Sequence, residues 1–402
     1  DAARLVRGAI RLSGSVQSLD ESVLKNVKRA NISPEQLMQL AMDAADVQAN
    51  SYCEIILALP GETKGSHFQT LKTVIEAGFN RVIIWQLLML LGSDMCTPES
   101  KKKYGMDLRY RVLPRCCGSY EVLGKELPTA EIEEICVSTN TLSYEDYIEC
   151  RRMHFIINIF YTDGMFGGVL KFSRALGISP YDWMVQLAKT EKKGRLKELF
   201  DHFEARTRDE LWRDEDNLYG FIRKPGIIRK YLDGELGYNL IFVHKARALS
   251  TCAAELVVLA RDTLISLLQG AGKASEQNLV FLDDLLQYDG NRMKNIFNDS
   301  DTVVSAQLRY DVQRYSEEHG NCPIADYRYS QPVTYHFVLD DLQRERLESF
   351  KKIYGDNMLG AAFMLGRVYV KKLLRHPVPQ HEGSTGQDAV SRQHAAIMRM
   401  WL

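Results

Sequence analysis

The chain lacks an excess of either charge, and it lacks a long apolar run. Lysine and arginine number 51 against 52 aspartates and glutamates, which gives a net charge of −1. Nucleic acids and acidic membrane surfaces attract strongly basic proteins, so neither is expected as a partner. The longest apolar stretch, residues 82–91, contains Gln86 and is far shorter than the roughly 18 residues that a membrane-spanning helix needs. The sequence therefore predicts no membrane span.

Residue spacings that hold metals are also missing. The eight cysteines form no CxxC or CxxxCxxC motif, and the adjacent Cys116 and Cys117 are poorly placed to bind one metal ion. A chain of this size does not read as a disulfide framework, so free thiols are expected. No two histidines lie four residues apart with a carboxylate partner, and His67 and His154 fall in predicted helices. No metal site is predicted in this chain.

The chain begins in the middle of a pattern. Residues 5–10 lead directly into strand-like sequence, with no initial methionine and no signal peptide. This start predicts a truncated chain, and the absence of a targeting signal predicts the cytoplasm.

The first 95 residues alternate between strand-like and helix-like segments. Three strands are predicted, over residues 9–16, 52–59 and 81–90. Three helices are predicted, over residues 21–29 with Asp20 as cap, from Ser33 and Pro34 onward, and over residues 64–77 before Gly78. This order is a βαβαβ unit with a parallel sheet, compatible with a barrel or with an open doubly wound sheet.

Beyond residue 120 the predicted secondary structure changes from alternating strands and helices to mostly helices. A strand is predicted over residues 132–137, and helical periodicity then dominates residues 144–269. A further strand (333–338) and two helices (340–354 and 357–374) precede a loosely ordered tail. We therefore predict three domains: an α/β domain over 1–120, a helical domain over 121–290 and an α+β extension over 291–402.

Two polar motifs follow the first two predicted strands. Residues 15–20 read Ser-Val-Gln-Ser-Leu-Asp, and residues 59–63 read Leu-Pro-Gly-Glu-Thr. Helix N-termini at the carboxyl edge of a parallel sheet offer free N–H donors, and ligands bind at that edge. Each motif alone could equally be a helix cap or a strand-to-helix turn.

Three segments resemble successive strand regions of the radical S-adenosylmethionine (SAM) enzymes. They are residues 15–29 for the fourth strand, residues 54–63 for the fifth and residues 87–93 for the sixth. Their order and spacing agree over residues 9–95, which implies half of a TIM-like (β/α) barrel followed by a mostly α-helical region. The remainder of the chain resembles the C-terminal part of the cobalamin-associated branch of this superfamily.

The resemblance implies a SAM site. Its expected residues are Ser15, Gln17, Ser18, Arg29, Glu54, Ile56, Gly61 and Glu62. Ser15 and Gln17 would lie near the ribose and methionine end of SAM, and Arg29 would reach the SAM carboxylate, which a guanidinium fits geometrically. The alternative for Arg29 is an exposed cation at a helix end.

The second motif would form the rest of the pocket. Glu54 would pair with the SAM ammonium or ribose, because a carboxylate in an apolar strand is costly without a partner. Ile56 would pack against the adenine, while Gly61 and Glu62 would bound the pocket. Many members of the family have glycine where Ala58 stands.

The family's cysteine motif for the iron–sulfur cluster is missing. It would precede residue 1, as would a cobalamin-binding domain. The complete protein is expected to cleave SAM reductively, using a 4Fe-4S cluster and an electron donor such as flavodoxin or ferredoxin. Radical chemistry on an unidentified small-molecule substrate would follow, with methyl transfer or rearrangement if cobalamin is used. The chain alone is expected to hold no cluster and to show no turnover.

Two other interpretations remain open. A phosphate-binding, aldolase-like barrel would need a lysine inside a strand, and a non-catalytic helical interaction module would need an exposed apolar patch on residues 144–270. Two lesser motifs carry simpler predictions: the glycine-rich segment 163–168 is expected to break a helix, and the lysines at 101–103 are expected to form a solvated helix end.

Overall fold

The structure is a computed structural model that describes residues 12–46, 50–297, 304–318, 323–368 and 370–380. The chain divides into two compact units, one combining residues 1–158 with 200–243 and the other combining residues 159–199 with 244–402. These divisions differ from the boundaries near 120 and 290 that the sequence suggested, and the three-domain scheme remains a prediction. Over the described ranges, no helix is long and apolar enough to cross a membrane.

The regular elements are numbered along the chain. The strands are β1 (Leu12–Ser13), β2 (Ser51–Leu57), β3 (Arg81–Gln86), β4 (Asp107–Val122), β5 (Lys125–Ser138), β6 (Val304–Tyr310), β7 (Arg328–Val338) and β8 (His376–Pro379). The helices of the first half are α1 (Glu21–Asn26), α2 (Pro34–Asp46), α3 (Lys64–Ala77), α4 (Pro98–Lys103), α5 (Tyr144–Phe160), α6 (Gly167–Ala175) and α7 (Pro180–Lys189). Those of the second half are α8 (Gly194–Asp209), α9 (Glu215–Ile222), α10 (Ile227–Leu232), α11 (Leu240–Thr251), α12 (Ala253–Gly270), α13 (Glu276–Met293), α14 (Val312–Glu317), α15 (Asp341–Tyr354) and α16 (Met358–Arg367).

The first unit contains the predicted βαβαβ arrangement. Strands β1, β2 and β3 form a parallel sheet in that order, with α1 and α2 after β1 and with α3 after β2. The α/β prediction is confirmed. The three sheets of the described residues are small and none closes into a barrel, so the half-barrel remains a proposal.

Local capping explains where these helices begin and end. The Asp20 carboxylate accepts hydrogen bonds from the Ser22 and Val23 amides at 2.9 and 3.0 Å, which starts α1. The helix ends at Asn26 and not at residue 29, because Lys28 has a φ of +54°. Helix α3 has the predicted bounds and ends at Gly78, where φ is +89°.

Strand β3 is shorter than predicted, because the chain changes partner after Gln86. The Met89 amide donates to the Glu134 carbonyl at 2.9 Å, and the Cys136 amide donates to the Leu87 carbonyl at 2.9 Å. Leu87 still donates its amide to the Leu57 carbonyl of β2 at 3.1 Å, and from Leu88 onward the chain pairs with β5.

Strands β4 and β5 form a long antiparallel hairpin. The predicted strand 132–137 is only the inner part of β5, and β4 was not predicted. The two-residue turn at Leu123 and Gly124 has positive φ at both positions, as type I′ turns require. The register shifts between Val112 and Cys117, and beyond this bulge residues 119–127 are exposed.

The second unit combines helices with an antiparallel sheet in the order β6-β7-β8. The predicted strand 333–338 lies inside β7, and β6 was not predicted. Helix α15 confirms the prediction over residues 340–354, whereas α16 ends at Arg367 and not at residue 374. Predictions on residues 1–11, on Cys322 and on the tail from residue 381 fall outside the described residues.

The glycine-rich segment 163–168 breaks the helical chain as predicted. Asp163 has a φ of +69°, and α6 begins at Gly167. The amides of Gly168 and Val169 donate to the Asp289 carboxylate at 3.1 and 3.4 Å. The helix start that resembles a phosphate loop therefore binds a carboxylate of the protein itself.

Candidate functional site

The parallel sheet has one packed face and one open face. Along β2, Cys53, Ile55 and Leu57 are fully buried, whereas the alternating Tyr52, Glu54 and Ile56 are half-buried. The packed side is tight, because a Cβ at Gly14 would lie 2.7 Å from Leu37 of α2. Parallel sheets are normally covered on both faces, so the open face is a place where other groups can bind.

A carboxylate on the open face joins β2 to β3 and to the segment that follows β1. Glu54 on β2 accepts a hydrogen bond from the Ser15 hydroxyl at 2.6 Å, and its other oxygen accepts from the Trp85 indole N–H of β3 at 3.1 Å. The expectation that Glu54 needs a partner is therefore met by two neutral donors. The carboxylate keeps lone pairs for a further donor. Trp85 is 51 % exposed on this face.

Arg29 reaches the same region through the backbone of Ser15. Its Nη2 donates to the Ser15 carbonyl at 2.7 Å, and its Nε donates to the Asn31 side chain at 2.9 Å. Asn31 in turn donates to the carbonyls of Val16 and Ser18 at 2.8 and 2.7 Å. Ser15 thus contacts both Arg29 and Glu54. Within the described residues, Nη1 of Arg29 has no hydrogen-bond partner.

Gln17 contributes through its backbone. Its amide and that of Val16 both donate to the Glu54 carbonyl, at 3.0 and 3.2 Å, and its carbonyl accepts from the Ile56 amide at 2.8 Å. Two residues thus face one, as in a β-bulge, and Gln17 has a φ of +59°. The half-buried side chain of Gln17 has no hydrogen-bond partner among the described residues.

The turn after β2 has an unusual backbone. Ala58 has a φ of +70°, a region that glycine adopts more readily, and this explains why glycine suits this position in the family that the sequence resembles. Gly61 has a φ of +86°, and a Cβ there would lie 2.6 Å from the Asn26 amide nitrogen. Asn26 donates to the Pro60 carbonyl at 3.0 Å, which fixes the turn against α1.

Two of the predicted residues face the interior. Ser18 is fully buried, and its hydroxyl accepts from the Asp20 amide at 3.3 Å. Glu62 is fully buried as well, and it accepts from the Ala58 amide at 2.8 Å and contacts Nδ1 of His67 at 3.1 Å. The structure therefore brings Ser15, Gln17, Arg29, Glu54 and Ile56 together, with Gly61 in the adjoining turn. Ser18 and Glu62 do not share the open face with this group, because both are fully buried.

Several residues of this region had no predicted role. They are Asn26, Asn31, His67, Trp85 and His154. The contacts Arg29–Asn31 and Glu62–His67 join residues two and five positions apart. The other partners lie between 13 and 87 residues away along the chain, and no local motif indicates such contacts.

The described cysteines do not fit an iron–sulfur cluster. In the described part of the chain, no group of three or more histidine, cysteine, aspartate or glutamate side chains is placed to hold a metal ion. Burial raises the pKa of the Cys53 and Cys136 thiols to about 12, which disfavours the thiolates that such a cluster needs.

The aldolase-like barrel would need a lysine inside a strand, and the helical interaction module would need an exposed apolar patch on residues 144–270. Strands β1, β2 and β3 contain no lysine. Within residues 144–270 the exposed large apolar side chains are Leu232 and Val258, one in each unit, so neither unit carries a patch of them there.

The chain is similar in sequence to two known methyltransferases. The chain is similar to a 2-(S-pantetheinyl)-carbapenam-3-carboxylate methyltransferase from Streptantibioticus cattleyicolor, with 29% identity over 153 residues, covering 37% of this chain and 22% of the relative. It is also similar to the cobalamin-dependent radical SAM methyltransferase TokK from Streptomyces tokunonensis, with 29% identity over 136 residues, covering 34% of this chain and 19% of TokK. The matched segment thus spans about a fifth of each relative. No protein-family model matches the chain.

Proposed function

We propose that this chain carries the SAM-binding face of a radical SAM methyltransferase of the cobalamin-dependent kind. The observation that supports the proposal most is the joining of Ser15, Arg29 and Glu54 on the open face of a parallel sheet. The similarity to two methyltransferases, one of them a cobalamin-dependent radical SAM enzyme, supports the same conclusion. The parallel sheet would then be one side of a partial barrel.

The open face offers complementary groups for each part of SAM. The Glu54 carboxylate would accept hydrogen bonds from the ammonium or the ribose hydroxyls, and its orientation is fixed by Ser15 and Trp85. The free Nη1 of Arg29 would donate to the carboxylate of SAM. Ile56 and the exposed indole of Trp85 would provide apolar contact for the adenine.

The proposal for this chain is limited to binding and orienting SAM. In radical SAM enzymes the reducing electron comes from a 4Fe-4S cluster, and the described residues do not fit such a cluster. Methyl transfer, the use of cobalamin and an external electron donor are proposed for the complete enzyme. Its substrate would be a small molecule.

Calorimetric titration of the chain with SAM tests the proposal. Glu54→Gln removes the carboxylate charge, and Ser15→Ala removes the hydroxyl that orients this carboxylate. Each variant should weaken SAM binding by about tenfold or more. Ser13→Ala is the matched control, because Ser13 lies two residues before Ser15 in the same chain segment, is exposed and should leave SAM affinity unchanged. Circular dichroism would verify folding. Wild-type affinity retained by Glu54→Gln, or no SAM binding by the wild-type chain at millimolar concentration, would overturn the proposal.

A further inference from the structure

A cleft of about 420 Å³ lies beside the turn that follows β2. Most of its lining residues are of polar type, and they come from α1, the residues that follow it, and the segment leading into and through α4. The lining residues are Lys25, Asn26, Lys28, Asp94, Met95, Thr97, Ser100, Lys103 and Tyr104. Sites for small molecules commonly have volumes from about 300 to 1,000 Å³, so the cleft is large enough for a small ligand.

The charge of the cleft is positive. Three ammonium groups face one carboxylate, which leaves two positive charges in excess at neutral pH. Lys28 pairs with Asp94 at 2.6 Å. Within the described residues, Lys25 and Lys103 have no carboxylate partner, and the Lys103 ammonium donates only to the Tyr104 hydroxyl at 3.0 Å. The chain as a whole has a net charge of −1, so this local excess is not a general property of its surface.

The lysines converge from distant parts of the sequence. Lys25 lies in the last turn of α1 and Lys103 ends α4. Cations in last turns of helices interact favourably with the helix dipole, which explains each lysine singly. It does not explain why the two helix ends meet around one cleft together with Lys28. Lys28 has a φ of +54° at a helix end where glycine is the usual residue.

Of the three adjacent lysines at 101–103, Lys103 lines the cleft and the other two do not. Lys101 forms an ion pair with Glu134 at 2.8 Å, Lys102 is exposed and does not line the cleft, and Lys103 lines the cleft. The prediction of a solvated helix end is met by Lys102 and Lys103, which are both exposed, whereas Lys101 is half-buried in its ion pair with Glu134.

The cleft adjoins the proposed SAM-binding turn. Asn26 lines the cleft and also donates to the Pro60 carbonyl, next to Gly61. A ligand held in the cleft would therefore lie beside the carboxyl end of β2.

We propose that this cleft binds the anionic group of a small molecule, a phosphate ester or a carboxylate. Two ammonium groups without a carboxylate partner would compensate its charge, and the Tyr104 hydroxyl, which accepts from Lys103, would donate to it. The hydroxyls of Thr97 and Ser100 line the cleft but already donate to the Asp94 carbonyl at 3.0 and 2.6 Å. The proposal rests on the charges and shape of the cleft and does not require that SAM binds on the open face of the sheet.

Titration of the full chain with inorganic pyrophosphate, followed by calorimetry, tests the proposal. The double variant Lys25→Ala/Lys103→Ala should weaken binding at least tenfold, and higher salt should weaken wild-type binding. Lys102→Ala is the matched control, because it removes the same charge from the neighbouring position, and its effect should stay below twofold. Asp94→Asn should strengthen binding several-fold, because it removes the negative charge and releases Lys28.

The outcomes distinguish this site from the SAM site. Unchanged pyrophosphate affinity in the double variant, equal losses in Lys102→Ala and the double variant, or no strengthening by Asp94→Asn would each overturn the cleft proposal. A parallel titration with citrate separates the two ligand sources, since tighter binding of pyrophosphate indicates a phosphate ester and tighter binding of citrate indicates a carboxylate. SAM titrations of the same variants should show unchanged affinity, so failure of either proposal is visible without the other.

Discussion

The Nε2 atoms of His67 and His154 lie 2.8 Å apart, and both imidazoles are buried in the first unit. At this distance one ring donates a hydrogen bond and the other accepts it, which requires that the accepting nitrogen is unprotonated. Since Nδ1 of His67 contacts the Glu62 carboxylate at 3.1 Å, the chain of contacts runs from the turn after β2 to helix α5. The histidines therefore connect the candidate site to the protein interior.

This arrangement predicts a loss of stability in mild acid. Burial, followed by the neighbouring His67 and Arg151, holds the pKa of His154 well below its ordinary value. The unfolded chain then binds more protons than the folded chain below about pH 6.5, so the free energy of unfolding should decrease as pH falls from 6.5 to 5. For one titrating group, the free energy of unfolding changes by at most about 1.4 kcal/mol per pH unit. Urea denaturation at a series of pH values would measure it.

One variant isolates the contribution of His154. His154→Gln cannot take up the proton and should reduce this pH dependence relative to the wild-type chain. An acid slope in His154→Gln equal to that of the wild-type chain would contradict the prediction.

The carboxylate of Glu62 should be essential for stability. It is fully buried and accepts a hydrogen bond from the Ala58 amide, so Glu62→Ala leaves that amide and Nδ1 of His67 without their partner. We expect a loss of about 3 kcal/mol in the free energy of unfolding. Glu62→Gln should lose less, because its amide oxygen can still accept from Ala58. Glu198 is exposed, so Glu198→Ala should change stability by less than about 0.5 kcal/mol. A loss at Glu198 equal to that of Glu62→Ala would refute the stabilising role of Glu62.

Gly61 and Gly92 form a matched pair for the turn after β2. Both have a φ near +85°, but a Cβ at Gly61 would lie 2.6 Å from the Asn26 amide nitrogen, whereas nothing lies within 4 Å of one at Gly92. Gly92→Ala should therefore cost only the conformational term of about 1–2 kcal/mol. Gly61→Ala should cost about 1–3 kcal/mol more, owing to the contact. Thermal denaturation of both variants would measure the difference, and equal losses would exclude the close packing of Asn26.

Asp289 of the second unit should show the opposite pH dependence to His154. Burial raises the pKa of its carboxyl to about 7, above the ordinary value of 3.8. The folded chain then binds more protons than the unfolded chain between about pH 4 and 7, so this contribution to stability is present in acid and is lost as pH rises. The stability of Asp289→Asn relative to wild type should thus increase with pH, at up to about 1.4 kcal/mol per unit.

One result would contradict this prediction. A constant difference in stability between Asp289→Asn and wild type across this pH range would show that Asp289 does not take up a proton near neutral pH.

The elements with strong local signals could be predicted from the sequence. Helix α3 has the expected bounds, because Gly78 ends it sharply and its capping residues are adjacent in the chain. Strand β4 was missed, because Pro114 and Gly118 interrupt its pattern and because the bulge between Val112 and Cys117 shifts its register. Helix α3 could be predicted because the residues that begin and end it are local in sequence. Strand β4 could not, because its pairing depends on a bulge that local sequence does not indicate.

The same distinction applies to the candidate site. Ser15, Arg29 and Glu54 were identified because they stand in motifs that resemble a known family. Trp85 and Asn31 could not be identified, since their roles arise only when strands and turns that are distant in sequence come together.

The bulge divides the β4–β5 hairpin into an inner part that packs against helices and an outer part that is exposed. Inside the bulge, Val112 and Ile132 pack against α9 and α10, whereas residues 119–127 are exposed in an isolated two-stranded ribbon. Such ribbons are marginally stable in water, and Glu121 stands directly opposite Glu126, which weakens the pairing. Amide protons near the tip should therefore exchange with deuterium much sooner than those of the inner strands. Proteases should first cleave near Leu123, which is 98 % exposed, and leave the rest of the unit folded.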